Sequence, residues 1–176
     1  MSPLNRIIRL AALLALITAA PAFAAIKVGD VFPPIAEPGV TGLRGMTVPG
    51  TAGKVVLVDF WASWCAPCKA SFPAMAKLHA AYASRGLVIV AVSIDEKAPA
   101  AEAFAKKLAP PFPTLLDRQQ KLAKQVVVPA MPTSYLLGPD GRVRFIHQGF
   151  RGEPTERELR AHIELLLAEL PAPLSP

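Results

Sequence analysis

Two cysteines, Cys65 and Cys68, are the only thiols in this chain of 176 residues. They lie in Trp64-Cys65-Ala66-Pro67-Cys68-Lys69, two residues apart. Such a pair can close a small disulfide, contribute half of a metal site, or exchange disulfides with another molecule. A structural bridge here closes a loop of only four residues. By loop entropy it stabilises by about 2 kcal/mol, less than a long-range bridge would, and it ties no separate elements together. Structural zinc takes four ligands, and the histidines, His79, His147 and His162, are dispersed. Two thiolates can hold copper transiently, but no Met- or His-rich stretch supplements them, so copper handling ranks second. Disulfide exchange needs one reactive thiolate and a second thiol in reach. This spacing meets both needs when it opens a helix.

The flanking residues supply that setting. Val55-Val56-Leu57-Val58-Asp59-Phe60 is a near-continuous β-branched run, the pattern of a buried parallel strand. Ala70 to Tyr82 follows with helical character and places Phe72, Met75, Leu78 and Tyr82 on one face. Pro73 interrupts it and Gly86 ends it. Cys65 then stands beyond the helix N-terminus, where free backbone N–H groups and the helix dipole favour a thiolate. It is the expected nucleophile. Cys68, about one turn on and covered by the helix, is the expected resolving thiol, and Pro67 fixes the backbone between them. Asp59 is out of place in an apolar strand. An unpaired buried carboxylate is costly, so Asp59 reads either as functional or as a hydrogen-bonded structural group.

Further along, Leu87 to Val92 reads as a second buried strand and Pro99 to Leu108 as a short helix. Pro110-Pro111-Phe112-Pro113 is a break. Thr114 to Leu116 reads as a short strand and Arg118 to Gln125 as a short helix. Thr133 to Leu137 and Arg142 to His147 form a hairpin about Pro139-Asp140-Gly141. A capping box, Thr155-x-x-Glu158, opens the last helix, which buries Leu159, Ile163, Leu166 and Leu170 and stops at Pro171. Ala25 to Gly53, rich in Gly and Pro, reads as an N-terminal hairpin extension with short strands near Val40 and Met46 to Val48. The order β-α-β-α, a small insert, then β-β-α predicts an α/β sandwich with helices on both faces.

The first 24 residues look like a targeting segment. Arg6 and Arg9 precede an apolar stretch, Leu10 to Ala20, too short to span a bilayer comfortably, and Ala22-Phe23-Ala24 is a cleavage signal. This predicts a secretory signal peptide, with an uncut anchor as the alternative. Residues 25–170 then form one domain and 171–176 a loose tail. The remaining 152 residues suffice for a core without disulfide staples. Net charge is +6, and +4 once Arg6 and Arg9 are removed. The basic residues are scattered and lack interleaved aromatics, so no nucleic-acid partner is expected. Export implies an oxidising compartment.

The run Val58-Asp59-Phe60-Trp61-Ala62-Ser63-Trp64-Cys65-Ala66-Pro67-Cys68-Lys69 resembles the active-site stretch of the thioredoxin superfamily. Pro73 falls where that family has its helix-interrupting proline. Val92-Ser93-Ile94-Asp95-Glu96, Phe112-Pro113-Thr114-Leu115, Met131-Pro132-Thr133-Ser134-Tyr135-Leu136 and Pro139-Asp140-Gly141-Arg142-Val143 resemble its exported branch, the TlpA/ResA-like thiol–disulfide oxidoreductases. The resemblance covers Gly29 to Leu170. It implies a three-layer α/β/α sandwich on a central mixed sheet, with a cis peptide at Met131-Pro132 beside the cysteines. It implies that Asp59 lies behind Cys68 and helps move its proton. It also implies that Trp64, Pro67, Met131, Pro132 and Thr133 meet a substrate peptide, the Met131 backbone by main-chain pairing, and that Trp61 and Trp64 flank the site. From the residues alone, Trp61 reads as core packing.

The activity implied is disulfide exchange with protein substrates by a periplasmic or otherwise exported monomer. It needs no cofactor beyond the Cys65–Cys68 couple and is recharged by a membrane thiol donor. Reduction is the expected direction, with cytochrome c maturation as one role. A peroxiredoxin-like antioxidant is a further alternative, but its own Thr-x-x-Cys setting is absent. Two positions depart from the exported branch. Ser71 stands where many relatives have glutamate, and Asp59 where many have asparagine.

Overall fold

Val55 to Trp61 forms a strand that is buried along its whole length, as its apolar run, broken only by Asp59, leads one to expect. It is the centre of the molecule. The structure, a computed structural model, describes residues 24–171. The expected signal segment, apart from Ala24, and the tail beyond Pro171 lie outside the described residues. Among the described residues no helix is long and apolar enough to cross a membrane.

The strands are β1 (Val40–Gly42), β2 (Val55–Trp61), β3 (Leu87–Ser93), β4 (Thr114–Asp117), β5 (Thr133–Leu137) and β6 (Val143–Gln148). The helices are α1 (Ala66–Tyr82), α2 (Ala98–Leu108), α3 (Lys121–Val126) and α4 (Glu153–Leu167). One mixed sheet has the order β1-β4-β3-β2-β5-β6. β2, β3 and β4 are parallel, and β1, β5 and β6 run antiparallel to their neighbours. Because the β2-α1-β3 and β3-α2-β4 crossovers step the same way along the sheet, α1 and α2 lie on one face. α4 joins them there, in a core that includes Leu57, Trp61, Phe72, Leu136, Leu159 and Ile163. On the other face Phe32, Ile35, Leu122 and Val126 pack against Val56, Val58, Phe60 and Tyr135. The layers are those of the thioredoxin-like sandwich.

Several elements differ locally from the sequence reading. The N-terminal extension does not form its own hairpin. β1 pairs with β4, and Met46 to Val48 has no strand partner. The chain instead doubles back so tightly that a Cβ on Gly42 would lie 1.5 Å from the Met46 carbonyl oxygen. α1 begins at Ala66, four residues before its run of helical apolar spacing, because Pro67 sits in its first turn, where a missing N–H costs nothing. α4 begins at Glu153, so Thr155 is inside its first turn rather than at the cap. Its hydroxyl accepts from the Arg151 N–H (3.1 Å), reaching back to the residue before the Gly152 cap. Leu167 takes the buried place expected of Leu170, which is only half-buried. α3 starts at Lys121 because Asp117 accepts from the backbone N–H groups of Lys121 and Ala123, both at 2.9 Å.

Candidate functional site: the dithiol at the α1 N-terminus

β2 ends at Trp61, and four residues later Cys65 caps α1. Its backbone is extended (φ −87°, ψ 105°), the usual state of an N-cap. Its Sγ accepts from the Cys68 N–H at 3.1 Å, in the place a serine or aspartate oxygen normally takes. A sulfur held there meets a helix N-terminus, which favours negative charge. Cys65 and Cys68 are joined by a disulfide, with Cα atoms 5.3 Å apart. The two thiols differ in access. Cys68 is fully buried, whereas Cys65 keeps 5% of its surface at the floor of an open groove.

One side of that groove is Trp64, Ala66, Pro67 and Ile94, and the other is Val128 to Met131. Cys65 is the one ionisable side chain among its lining residues. Trp64 is 70% exposed and stands over it as an apolar ridge. Trp61 behaves as packing. It is fully buried, stacked on Phe104 (centroids 4.5 Å) and edge-on to Phe72. The Met131-Pro132 peptide is cis. Met131 lines the groove, but Pro132 and Thr133 lie behind it. Pro132 is buried and accepts from the Gly149 N–H (2.7 Å), and the Thr133 hydroxyl donates to the Ala130 carbonyl (2.8 Å). Their side chains shape the wall rather than line it.

Asp59 is buried on β2, on the face it shares with Leu57 and Trp61. Those two side chains share a core cluster with Cys68 and Phe72. The Ser134 hydroxyl donates to Asp59 Oδ1 at 2.6 Å, and Oδ2 has no partner. Burial pushes the carboxyl up to about 7, and the Ser134 hydrogen bond only partly opposes this. An acid of that pKa can exchange a proton near neutral pH. Ser71 is buried and donates to the Cys68 carbonyl (2.8 Å). It thus ties down the first turns of the helix.

Sequence reasoning left two polar groups near the site unplaced. Asp95 is buried beyond β3 and accepts from Ser63 and Ser93. The Ser93-x-Asp95 pattern at a strand end could have pointed to it. His147, opposite Ser134 in the β5–β6 register, meets His162 on α4 with 3.1 Å between nitrogens. No local signal links residues so far apart in the chain.

The chain matches the Redoxin family model over residues 27–163. It is 31% identical over 140 residues to the thiol-disulfide oxidoreductase ResA of Geobacillus thermodenitrificans, covering 80% of this chain and 78% of that one. It is 38% identical to the ResA of Bacillus subtilis over 91 residues, 52% of this chain and 51% of that protein. A DsbE-type thiol:disulfide interchange protein from Chlorobium tepidum superposes with a TM-score of 0.71 at 33% identity, over 81% of this chain and 99% of that one. StoA of Bacillus subtilis superposes with a TM-score of 0.59 at 27% identity, over 72% and 97%. With the Cys-x-x-Cys pair at the head of α1, the chain belongs to the redoxin family, among its ResA-like thiol–disulfide oxidoreductases.

Proposed function

We propose that this thiol–disulfide oxidoreductase reduces disulfides in exported proteins, with Cys65 as the attacking thiol. The observation that carries the assignment is the difference in access: Cys65 opens onto the groove and Cys68 does not. The Cys65 thiolate attacks one sulfur of a substrate disulfide, forming a mixed disulfide and releasing the other sulfur as a thiolate. Asp59 takes the Cys68 proton. The Cys68 thiolate then attacks Cys65 Sγ, closes the Cys65–Cys68 bond and releases the second substrate sulfur. Two electrons have passed to the substrate, and a membrane thiol donor returns them.

The substrate segment lies extended along Met131, held by main-chain hydrogen bonds, with Trp64 and Pro67 on its other side. Pro132 and Thr133 fix that wall from behind. The protein works as an exported monomer, and cytochrome c maturation, where cysteines must be kept reduced, is a process suited to it. The +4 charge expected of the processed chain adds no recognition of its own, being scattered.

The test is a Cys68→Ala variant expressed with its export signal. It should accumulate mixed disulfides through Cys65 with proteins of the exported fraction. An unmodified Cys65 with no trapped partner would overturn the reading. Direction is set by the couple's potential. A value well below −200 mV supports reduction, and one near −120 mV makes the protein an oxidant.

A further inference from the structure

We propose that Asp95 is a positioning residue for the exchange reaction: its carboxylate clamps Ser63 and thereby fixes the turn that carries Trp64 and Cys65. The inference rests on Cys65 being the attacking thiol.

Ala62-Ser63-Trp64 joins the end of β2 to the cap of α1 and has no regular structure to hold it. Its own backbone offers one short bond, from the Cys65 N–H to the Ala62 carbonyl (3.1 Å). The remaining restraint comes from β3. Trp61 and Ser93 are register partners at the ends of the parallel strands β2 and β3, and the Ile94 N–H donates to the Trp61 carbonyl at 3.0 Å. One residue further on, Asp95 turns back toward β2. Its Oδ2 accepts from the Ser63 N–H (2.9 Å) and its Oδ1 from the Ser63 hydroxyl (2.7 Å). Ser63 is therefore gripped at backbone and side chain by both oxygens of one carboxylate. The carboxylate is itself held, because the Ser93 hydroxyl donates to Oδ2 (2.7 Å) and accepts from the Asp95 N–H (3.1 Å).

All three groups are inside or half inside the protein, with Asp95 5% exposed and Ser93 fully buried. A hydrogen bond to a charged, buried acceptor is worth more than a neutral one at the surface, so the clamp is stiff. What it holds is functional. The next residue, Trp64, is the ridge between two grooves. One contains Cys65 and Met131, and the other is lined by Ser63, Asp95, Lys97 and Gln120. The residue after that is Cys65, whose sulfur needs its N-cap geometry to meet the Cys68 N–H. A displacement of about 1 Å at a reacting group can cost about a hundredfold in rate.

The charge of Asp95 and its grip have opposite consequences, which makes them separable. Removing a negative charge near Cys65 favours the Cys65 thiolate. Loosening the turn disfavours it, because the sulfur leaves the helix N-terminus. Asp95→Ala and Asp95→Asn remove the same charge, but Asn retains an oxygen for Ser63 and a similar shape.

The experiment uses the reduced full domain. Iodoacetamide alkylation is followed against pH, with mass-spectrometric location of the modified cysteine, and reduction of insulin is measured alongside. Asp95→Ala should slow insulin reduction about tenfold to a hundredfold and raise the apparent pKa of Cys65 by about one unit. Asp95→Asn should stay within about threefold of the parent in rate and should not raise that pKa. Should Asp95→Ala fail to fold, Ser63→Ala removes one arm of the clamp and should give a three- to tenfold loss with the same sign of pKa change. Ala and Asn variants that behave alike, or a folded Ser63→Ala with parent kinetics, would overturn the clamp. Prior alkylation of Cys68 in the parent would instead overturn the assignment of Cys65.

Discussion

The Ser134 hydroxyl donates to Asp59 Oδ1 at 2.6 Å across the β2–β5 pair, where the two residues are direct register partners. Asp59 is wholly buried and its second oxygen has no partner. The hydrogen bond favours the charged carboxylate and burial favours the neutral acid, and burial dominates. Replacing Ser134 by Ala removes the opposing effect. The proton affinity of Asp59 should rise further above 7, by about one unit, since one unit corresponds to about 1.4 kcal/mol, a typical hydrogen bond to a charge. Ellman's reagent separates the steps, because Cys65 attack releases one chromophoric thiolate and Cys68 resolution a second. The pH midpoint of the second release should move up in Ser134→Ala and return in Ser134→Thr. An unmoved midpoint would show that Ser134 does not tune Asp59.

Asp59→Asn tests the base itself. General-base assistance contributes about a hundredfold or more, so the second release should slow by about that factor at pH 7.5 while the first is nearly unchanged. Stability should move the other way. With its folded pKa raised from 3.8 to about 7, Asp59 costs the wild-type fold nothing below pH 4, progressively more between pH 4 and 7, and a constant amount above. Oxidised Asp59→Asn should therefore match the parent at pH 4 and exceed it at pH 8. The gain is about 4 kcal/mol at most, from three pKa units, and urea unfolding at the two pH values would measure it. A variant less stable than the parent at pH 8 would assign Asp59 a structural role.

His147 gives the opposite pH dependence. Burial holds its imidazole below the usual range, the neighbouring His162 adds to this, and Glu158 opposes it. The folded state thus prefers neutral His147. Its contribution to stability is complete above the ordinary histidine pKa and is lost as pH falls through 6.5 toward the folded value. Asp59 acts the other way over this range in both proteins, so His147 shows in their difference: the parent should lose stability relative to His147→Leu as pH falls from 7 to 5. Parallel unfolding curves for the two proteins across that range would place the acid sensitivity elsewhere.

The fold was legible where hydrophobic pattern and function coincide. β2 and β3 announce themselves by near-continuous apolar runs, α1 by its apolar spacing, and the β5–β6 hairpin by Pro139-Asp140-Gly141. Cys65 and Cys68 were legible because nothing else in the chain competes with them. What escaped depends on contacts distant in sequence. Ser63 and Asp95 are 32 residues apart and His147 and His162 are 15 apart, and each pair meets only because strands and helices bring it together. The start of α4 departs from its capping-box pattern for a local reason. Thr155 does make a terminal hydrogen bond, but from the first turn outward, so the same Thr-x-x-Glu letters describe a helix that begins earlier.

Asp117 ties the insert to the groove. It is buried at the end of β4, and its two oxygens accept from the Lys121 and Ala123 N–H groups at the head of α3. α3 in turn ends at Val126, immediately before the Val128 to Met131 wall, and Val127 between them is held at φ 54°, a strained value for a β-branched residue. The strain persists because α3 and the wall fix both sides of it. Asp117→Ala leaves two donors without their acceptor and should cost about 1–3 kcal/mol in urea unfolding. It should raise KM for insulin severalfold through the displaced wall, while iodoacetamide alkylation of Cys65, which does not use that wall, stays at the parent rate. Equal losses in both assays would mean that the insert supports Cys65 itself rather than the surface that receives substrate.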